Sequence, residues 1–268
     1  MKATRWQKPH ERDYEYRGLL AKNWDLFRGD TSGWEDRVFF HELILQHGQP
    51  ALDVGCGTGR LLLDFLAHGL YVDGVDISPE MIELCRQKAQ ALGLHPVIYQ
   101  QAMESLDLPR RYRTIFVPSS SFQLLTDLEA AREAMRRLFA HLQAGGVLAM
   151  PFMLIWKEGE PVEHQDWKLT GEKVRLEDGA LARRWSRARY DVENQLEHTE
   201  DRYEVSLNDE AIELEHHRRS PATRWYTQAQ AVDLYQEAGF TDSQILSEST
   251  WQPASADEAI FTVIGRKP

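Results

Sequence analysis

Cysteine is nearly absent: Cys56 and Cys85 are the only two in 268 residues, too few for a secreted disulfide framework or a cysteine-built zinc site. The compartment this implies is a reducing one. Positive charge is scarce as well, with 31 Lys and Arg against 42 Asp and Glu and a net charge of -11. No general basic surface is left for a phosphate backbone, and no nucleic-acid partner is expected. Long apolar runs are missing too. No stretch reaches the length of a membrane span, and the opening MKATRWQKPHERDYEY lacks the apolar core of a signal peptide. A cytoplasmic protein without a membrane partner is therefore expected. No metal site is expected either, because the His216-His217 pair would point to opposite faces of a strand.

What is present, from Pro50 to Leu154, is an alternation of short apolar runs with helical periods, the rhythm of a parallel sheet wound with helices. ALDV (51–54), YVDGVDI (71–77), PVIYQQ (96–101), TIFVPS (114–119) and VLAMPFML (147–154) read as five strands. Leucines at helical spacing follow Gly59, and Ser78-Pro79 caps a second helix. Leu128, Ala131, Met135, Leu138 and Leu142 mark a third, stopped by Gly145-Gly146. From Trp156 to Arg219 the period changes to two, with LEHTEDRYEVS (196–206) and IELEHHR (212–218) flanking an LNDEA turn, the pattern of antiparallel hairpins. The α/β rhythm then resumes. Thr227 and Gln230 form a capping box for a helix ending at Gly239, and strands are expected near SQILSEST (243–250) and IFTVIGR (260–266).

The most informative stretch is DVGCGTGRLLL (53–63). A strand, a glycine turn and a helix bring backbone N–H groups and a helix N-terminus up to a ligand. A dinucleotide fingerprint demands a third glycine three positions after the second, to let helix and strand close around a pyrophosphate. Here Gly55, Gly57 and Gly59 are spaced two and two, and Arg60 occupies that position. The spacing opposes NAD. Asp76, about twenty residues past the loop, sits where an acid at a strand's carboxyl end accepts both ribose hydroxyls. Asp73 reads as a solvated edge residue, and Asp53 doubles as a brace for the loop's N–H groups.

DVGCGTGR, the YVDGVDISPEM stretch, and the closing AGF (238–240) with IFTVIGRK (260–267) together resemble the class I S-adenosylmethionine-dependent methyltransferases, in their small-molecule branch, over residues 14–154 and 221–268. The resemblance implies a doubly wound α/β fold: a mostly parallel, Rossmann-like sheet of seven strands, the last antiparallel, with a β-hairpin insertion after the fifth. It implies S-adenosyl-L-methionine as cofactor. Gly55, Cys56, Gly57 and Gly59 would lie along its methionine portion, with Asp53 behind them, Asp76 on the ribose, and Ile77 and Met81 on the adenine face. Met103 and Glu104 match the place where the adenine edge is read, and Ser119 and Ser120 would lie beneath the sulfonium. Ala102 stands where relatives often carry an acid, and Arg113 where the fourth strand usually follows an aspartate.

Three regions follow: a helical lid over residues 1–40, with Trp24 against the methionine end; a core of 41–154 and 220–268; and an insertion, 155–219, serving as substrate cover or homodimer element. Trp156, Trp167, Trp185, Tyr190, Trp225 and Tyr226 are candidates to wall an acceptor pocket. The basic run ARRWSRARY (182–190) reads as a solvated hairpin face. With its own glycine loop and ribose acid, the core is expected to bind cofactor without the insertion. No general base is assigned: His164, His216 and His217 each read as surface histidines in a charged segment. VPSSSF (117–122) is not the Asn/Asp-Pro-Pro-aromatic stretch of base-amino methylation, and no Pro-Cys nucleophile follows. The acceptor expected is a small molecule, methylated on nitrogen or oxygen. A non-catalytic adenosylmethionine sensor and an NAD-dependent oxidoreductase are the alternatives.

Overall fold

ALDV is apolar except for one acid and buried at every position, so the first strand has both faces covered. The computed structural model, which describes residues 15–268, builds outward from it. In chain order the elements are α1 (Gly18–Lys22), α2 (Trp24–Arg28), α3 (Glu35–His47), β1 (Ala51–Val54), α4 (Arg60–Ala67), β2 (Val72–Asp76), α5 (Pro79–Ala91), β3 (Ile98–Gln100), β4 (Tyr112–Phe116), α6 (Leu128–His141) and β5 (Leu142–Met153). Then come β6 (Lys168–Val174), β7 (Leu181–Asp191), β8 (Leu196–Leu207), β9 (Glu210–Arg224), α7 (Gln228–Ala238), β10 (Thr241–Ser247) and β11 (Ile260–Arg266).

Seven strands form one sheet in the order β10-β11-β5-β4-β1-β2-β3, parallel except for β11. Phe39 and Phe40 of α3, the leucines of α4, and Cys85 and Ala89 of α5 cover one side. Met135 and Leu138 of α6 with Leu234 and Tyr235 of α7 cover the other. Ser78 caps α5 by accepting from Met81 N–H, and the Thr227–Gln230 capping box opens α7. The glycines read as the stop of α6 instead lie inside β5. The helix already ends at His141, and a Cβ on Gly146 would come within 2.8 Å of the Arg113 carbonyl, so the backbones touch there.

β6 to β9 form a separate antiparallel sheet of four strands. Its inner face is not free-standing. Leu19 and Leu20 of α1 pack on Ala180, Ala182, Tyr203 and Val205 as one buried cluster, Glu215 accepts from Leu19 N–H at 2.7 Å, and Lys22 pairs with Glu213. The N-terminal helices and the inserted sheet thus share a core. The expected lid boundary at residue 40 falls inside α3, whose Phe39 and Phe40 belong to the main core. Residues 1–14 of the expected lid lie outside the described residues.

Asp73 corrects the sequence reading. It is 1% exposed, accepts from Tyr112 Oη at 2.8 Å, and lies 3.4 Å from Arg110. Alternation misleads here because β2 is sandwiched between β1 and β3 with both faces covered. Burial raises its pKa despite the tyrosine donor.

Candidate functional site

At the carboxyl ends of β1, β2 and β4 the chain encloses a cavity of about 290 Å³. The glycine loop forms one wall, with Asp53, Gly55, Cys56 and Gly57 lining it. Gly55, Gly57 and Gly59 all have positive φ, +77°, +54° and +85°, a backbone that side chains with a Cβ adopt at a cost. Their neighbours differ. A Cβ on Gly57 would meet the tip of Met81 at 3.3 Å, whereas one on Gly59 would meet Cys85 Sγ at 2.5 Å and Leu63 at 2.8 Å. Gly59 does not line the cavity. It lets α4 approach α5, so its expected place along the cofactor is replaced by a packing role.

Asp76 lines the cavity with both carboxylate oxygens anchored: Oδ2 accepts from Gly57 N–H at 2.8 Å and Oδ1 from Ser78 N–H at 2.8 Å. Each oxygen keeps a second lone pair for a ligand hydroxyl. Burial raises its pKa, opposed by those N–H groups. Asp53 is 1% exposed, and its Oδ1 has no hydrogen-bond partner among the described residues. Burial pushes its pKa up to about 8, with Arg60 pulling the other way. A buried carboxyl with one oxygen left unmet at the edge of a cavity is the complement of a cationic ligand. Burial likewise raises the Cys56 thiol, which stays protonated; both cysteines are buried and free.

Arg60, in the position that opposes a dinucleotide, is fixed by a two-pronged pair with Asp36 at 2.8 and 2.5 Å and lies over the Trp34 ring. It ties α4 to α3 while edging the cavity. Ile77, Met81 and Met103 line the cavity, and Glu104 does not. Gln101, beside Ala102, also reaches the cavity, but its amide is engaged with the backbone of Asp107, donating at 3.0 Å and accepting at 2.7 Å. Ser119 and Ser120 line it through consecutive left-handed residues, each with φ of 55°, a strained conformation that concentrates at ligand sites.

Tyr16 and the α2 residues Trp24 and Arg28 complete the wall. Trp24 packs on Tyr16 at 4.8 Å and under the Arg28 guanidinium at 4.4 Å. Among the described residues Arg28 forms no ion pair; burial and the neighbouring Arg60 lower its pKa. The lid is latched to the loop by Asp25, which accepts from Thr58 Oγ1 at 2.7 Å and pairs with Lys88 at 2.6 Å.

The six aromatics proposed as pocket walls do not line this cavity. Trp225 and Tyr226 are buried, Tyr226 against Phe122 and Phe152. Trp167 packs on Arg187 and His216, and Trp185 on Arg202. The sheet contributes Glu197, Arg219 and Thr223 instead. Sequence reading missed these, as it missed Arg28, because nothing in a strand's alternation says which polar face turns inward. His164, His216 and His217 lie outside the cavity too. The ARRWSRARY run is divided: Arg183 and Arg187 pair with Glu172 and Glu200, and Arg184 turns onto the buried Asp201 at 2.8 Å.

Such a fold and cavity, with an acid at the second strand's end and a glycine loop that admits no dinucleotide fingerprint, define a nucleoside-cofactor enzyme of the wound α/β class. Residues 51–146 match the family model of a methyltransferase domain. A methyltransferase of Geobacillus sp. strain WCH70 is 26% identical over 84% of this chain and 89% of its own length. Among solved structures, an S-adenosylmethionine-dependent methyltransferase of Clostridium acetobutylicum superposes with a TM-score of 0.71 at 17% identity, covering 92% of this chain and 96% of its own. The sugar N-methyltransferase KedS8 of Streptoalloteichus does so at 0.70 and 18%, covering 100% and 99%. Residues 51–146 thus carry a methyltransferase domain, and the chain is similar along most of its length to S-adenosylmethionine-dependent methyltransferases, with adenosylmethionine as the cofactor.

Proposed function

We propose that this methyltransferase acts on a nitrogen or oxygen of a small organic acceptor held between the glycine loop and the antiparallel sheet. The observation that carries the reading is the cavity's composition: an unpaired buried Asp53 oxygen and the Asp76 carboxylate on one wall, polar side chains of β8 and β9 on another. Its residues fit adenosylmethionine. Asp76 would accept the ribose hydroxyls, Ile77, Met81 and Met103 would flank the adenine, and the backbone of Gly55, Cys56 and Gly57 would run along the methionine portion. Asp53 would face its positive charge and Arg28 its carboxylate, with Trp24 and the Ser119–Ser120 turn enclosing them. The bound cofactor supplies a methyl group already activated on a sulfonium. The chain's own part is then to position the acceptor, strip it of water and take its proton.

A compact acceptor is supported by the cavity's limited volume, about 290 Å³, and by the net charge of -11, which repels polyanions. The resemblance to a sugar N-methyltransferase along the whole chain agrees with it. Among the described residues no helix is long and apolar enough to cross a membrane; a cytoplasmic, reducing setting is our reading of the two cysteines, both buried and free. The test is incubation with methyl-labelled adenosylmethionine and a panel of amines, alcohols, phenols, RNA and denatured protein. Label should enter small molecules; preferential labelling of a polymer contradicts the reading.

A further inference from the structure

Glu197 on β8 and Arg219 and Thr223 on β9 are the antiparallel sheet's contribution to the cavity. Glu197 pairs across the strands with Thr223, and Thr199 with Arg219. The carboxylate and the guanidinium therefore start two residues apart along β8, roughly 7 Å. Glu197 is held by a hydrogen bond from Thr223, and burial raises its pKa. Arg219 lies over the Tyr16 ring at 5.7 Å, and its Nη1 is buried without a hydrogen-bond partner. No ion pair joins it to an acid among the described residues, and the nearby buried acid is already taken: Asp201 accepts from Arg184 at 2.8 Å and Ser186 at 2.6 Å. A buried guanidinium N–H left unmet is costly, and this one belongs to a residue that lines the site where an acceptor must sit.

We propose that Glu197 and Arg219 are the acceptor site, and that the acceptor is a small amine also carrying an anionic oxygen group, its nitrogen on Glu197 and its oxyanion on Arg219 Nη1. This rests on the methyltransferase reading above and narrows its acceptor. An amine arrives largely as ammonium, which has no lone pair. Its proton passes to a Glu197 carboxylate oxygen, the nitrogen keeps the electron pair and becomes nucleophilic, and the proton leaves to water on product release. A carboxylate shielded from water is a better proton acceptor than an exposed one. Guanidinium presents N–H groups suited to carboxylate and phosphate alike.

The full-length protein with methyl-labelled adenosylmethionine tests this. Acceptor probes are β-alanine, other amino acids, O-phosphoethanolamine and glucosamine 6-phosphate, against β-alaninamide, ethanolamine and glucosamine, which lack the acid group and serve as the neutral-substituent counterparts. At least one acid-bearing amine should exceed its neutral counterpart by about tenfold or more in kcat/KM, the carboxylate and phosphate arms telling the two oxyanions apart. Arg219→Gln should raise KM for that acceptor about tenfold or more with kcat little changed, and Arg219→Lys should recover part of the loss. Glu197→Gln should lower kcat by about a hundredfold or more and remove the acid limb of its pH profile. Calorimetric adenosylmethionine affinity should stay within about threefold of wild type in all three. Equal or better methylation of the neutral probes, or no methylation of any acid-bearing amine, overturns the proposal, as do unchanged kinetics in Arg219→Gln and Glu197→Gln. A wild-type protein that does not bind adenosylmethionine would instead overturn the methyltransferase reading itself.

Discussion

Asp53 sets a buried carboxyl oxygen, unmet among the described residues, against the cavity. Its folded pKa of about 8 lies above the ordinary aspartate value, so the folded state holds a proton that the unfolded chain has released. The sign follows: this group's contribution to stability is fully present below about pH 4, declines as pH rises toward about 8, and levels off above it. Urea denaturation of the cofactor-free protein should show that decline, at most about 1.4 kcal/mol per pH unit, and Asp53→Asn should flatten it. A cationic ligand favours the ionised form, so adenosylmethionine binding at pH 7 should release up to one proton, read from the dependence of calorimetric heat on buffer. Unchanged proton release in Asp53→Asn would assign the effect elsewhere. That the loop and Asp76 meet at one cavity was legible because glycine spacing and an acid at a fixed distance are local signals. Arg28, Glu197 and Arg219 were not, because their approach to the cavity is a matter of tertiary packing.

Among elements, β1-loop-α4 divides the work of its glycines. Gly57 borders the cavity, while Gly59 sits under Cys85 and Leu63. Gly57→Val should therefore cost cofactor affinity more than stability. Gly59→Ala should destabilise the fold by about 1–3 kcal/mol through overpacking, besides forcing alanine to a φ of +85°. Thermal melting beside calorimetry separates the two; equal effects on both quantities in both variants would contradict the division. The order of strands and helices along the core was readable because periodicity and caps are encoded in consecutive residues, as Ser78 and Thr227 illustrate. The β2 alternation was misread at Asp73 because a strand covered on both faces carries no inside-outside pattern.

In the whole molecule, lid, core and insertion meet around one cavity. The Leu19–Tyr203 cluster packs the N-terminal helices on the sheet that follows β5, and the same N-terminal segment brings Tyr16, Trp24 and Arg28 to the cavity wall. Replacing residues 158–219 by a glycine-serine linker should then abolish methyl transfer and also weaken adenosylmethionine binding by about tenfold or more, roughly 1.4 kcal/mol. Retained full affinity would mean that the lid seats itself without the insertion. That coupling was invisible in the sequence, since lid and insertion are more than a hundred residues apart and their contact is made of ordinary apolar side chains.

The central claim is that the cavity holds adenosylmethionine through the glycine loop and Asp76, and titration calorimetry tests it most directly. Wild type should bind adenosylmethionine and its demethylated product with dissociation constants of micromolar order, about -8 kcal/mol, and should give no heat with NAD. Asp76→Ala, folded as judged by its melting transition, should lose about 1.5–3 kcal/mol of that affinity. Binding of NAD without adenosylmethionine, or an Asp76→Ala variant that binds adenosylmethionine as tightly as wild type, would contradict the account.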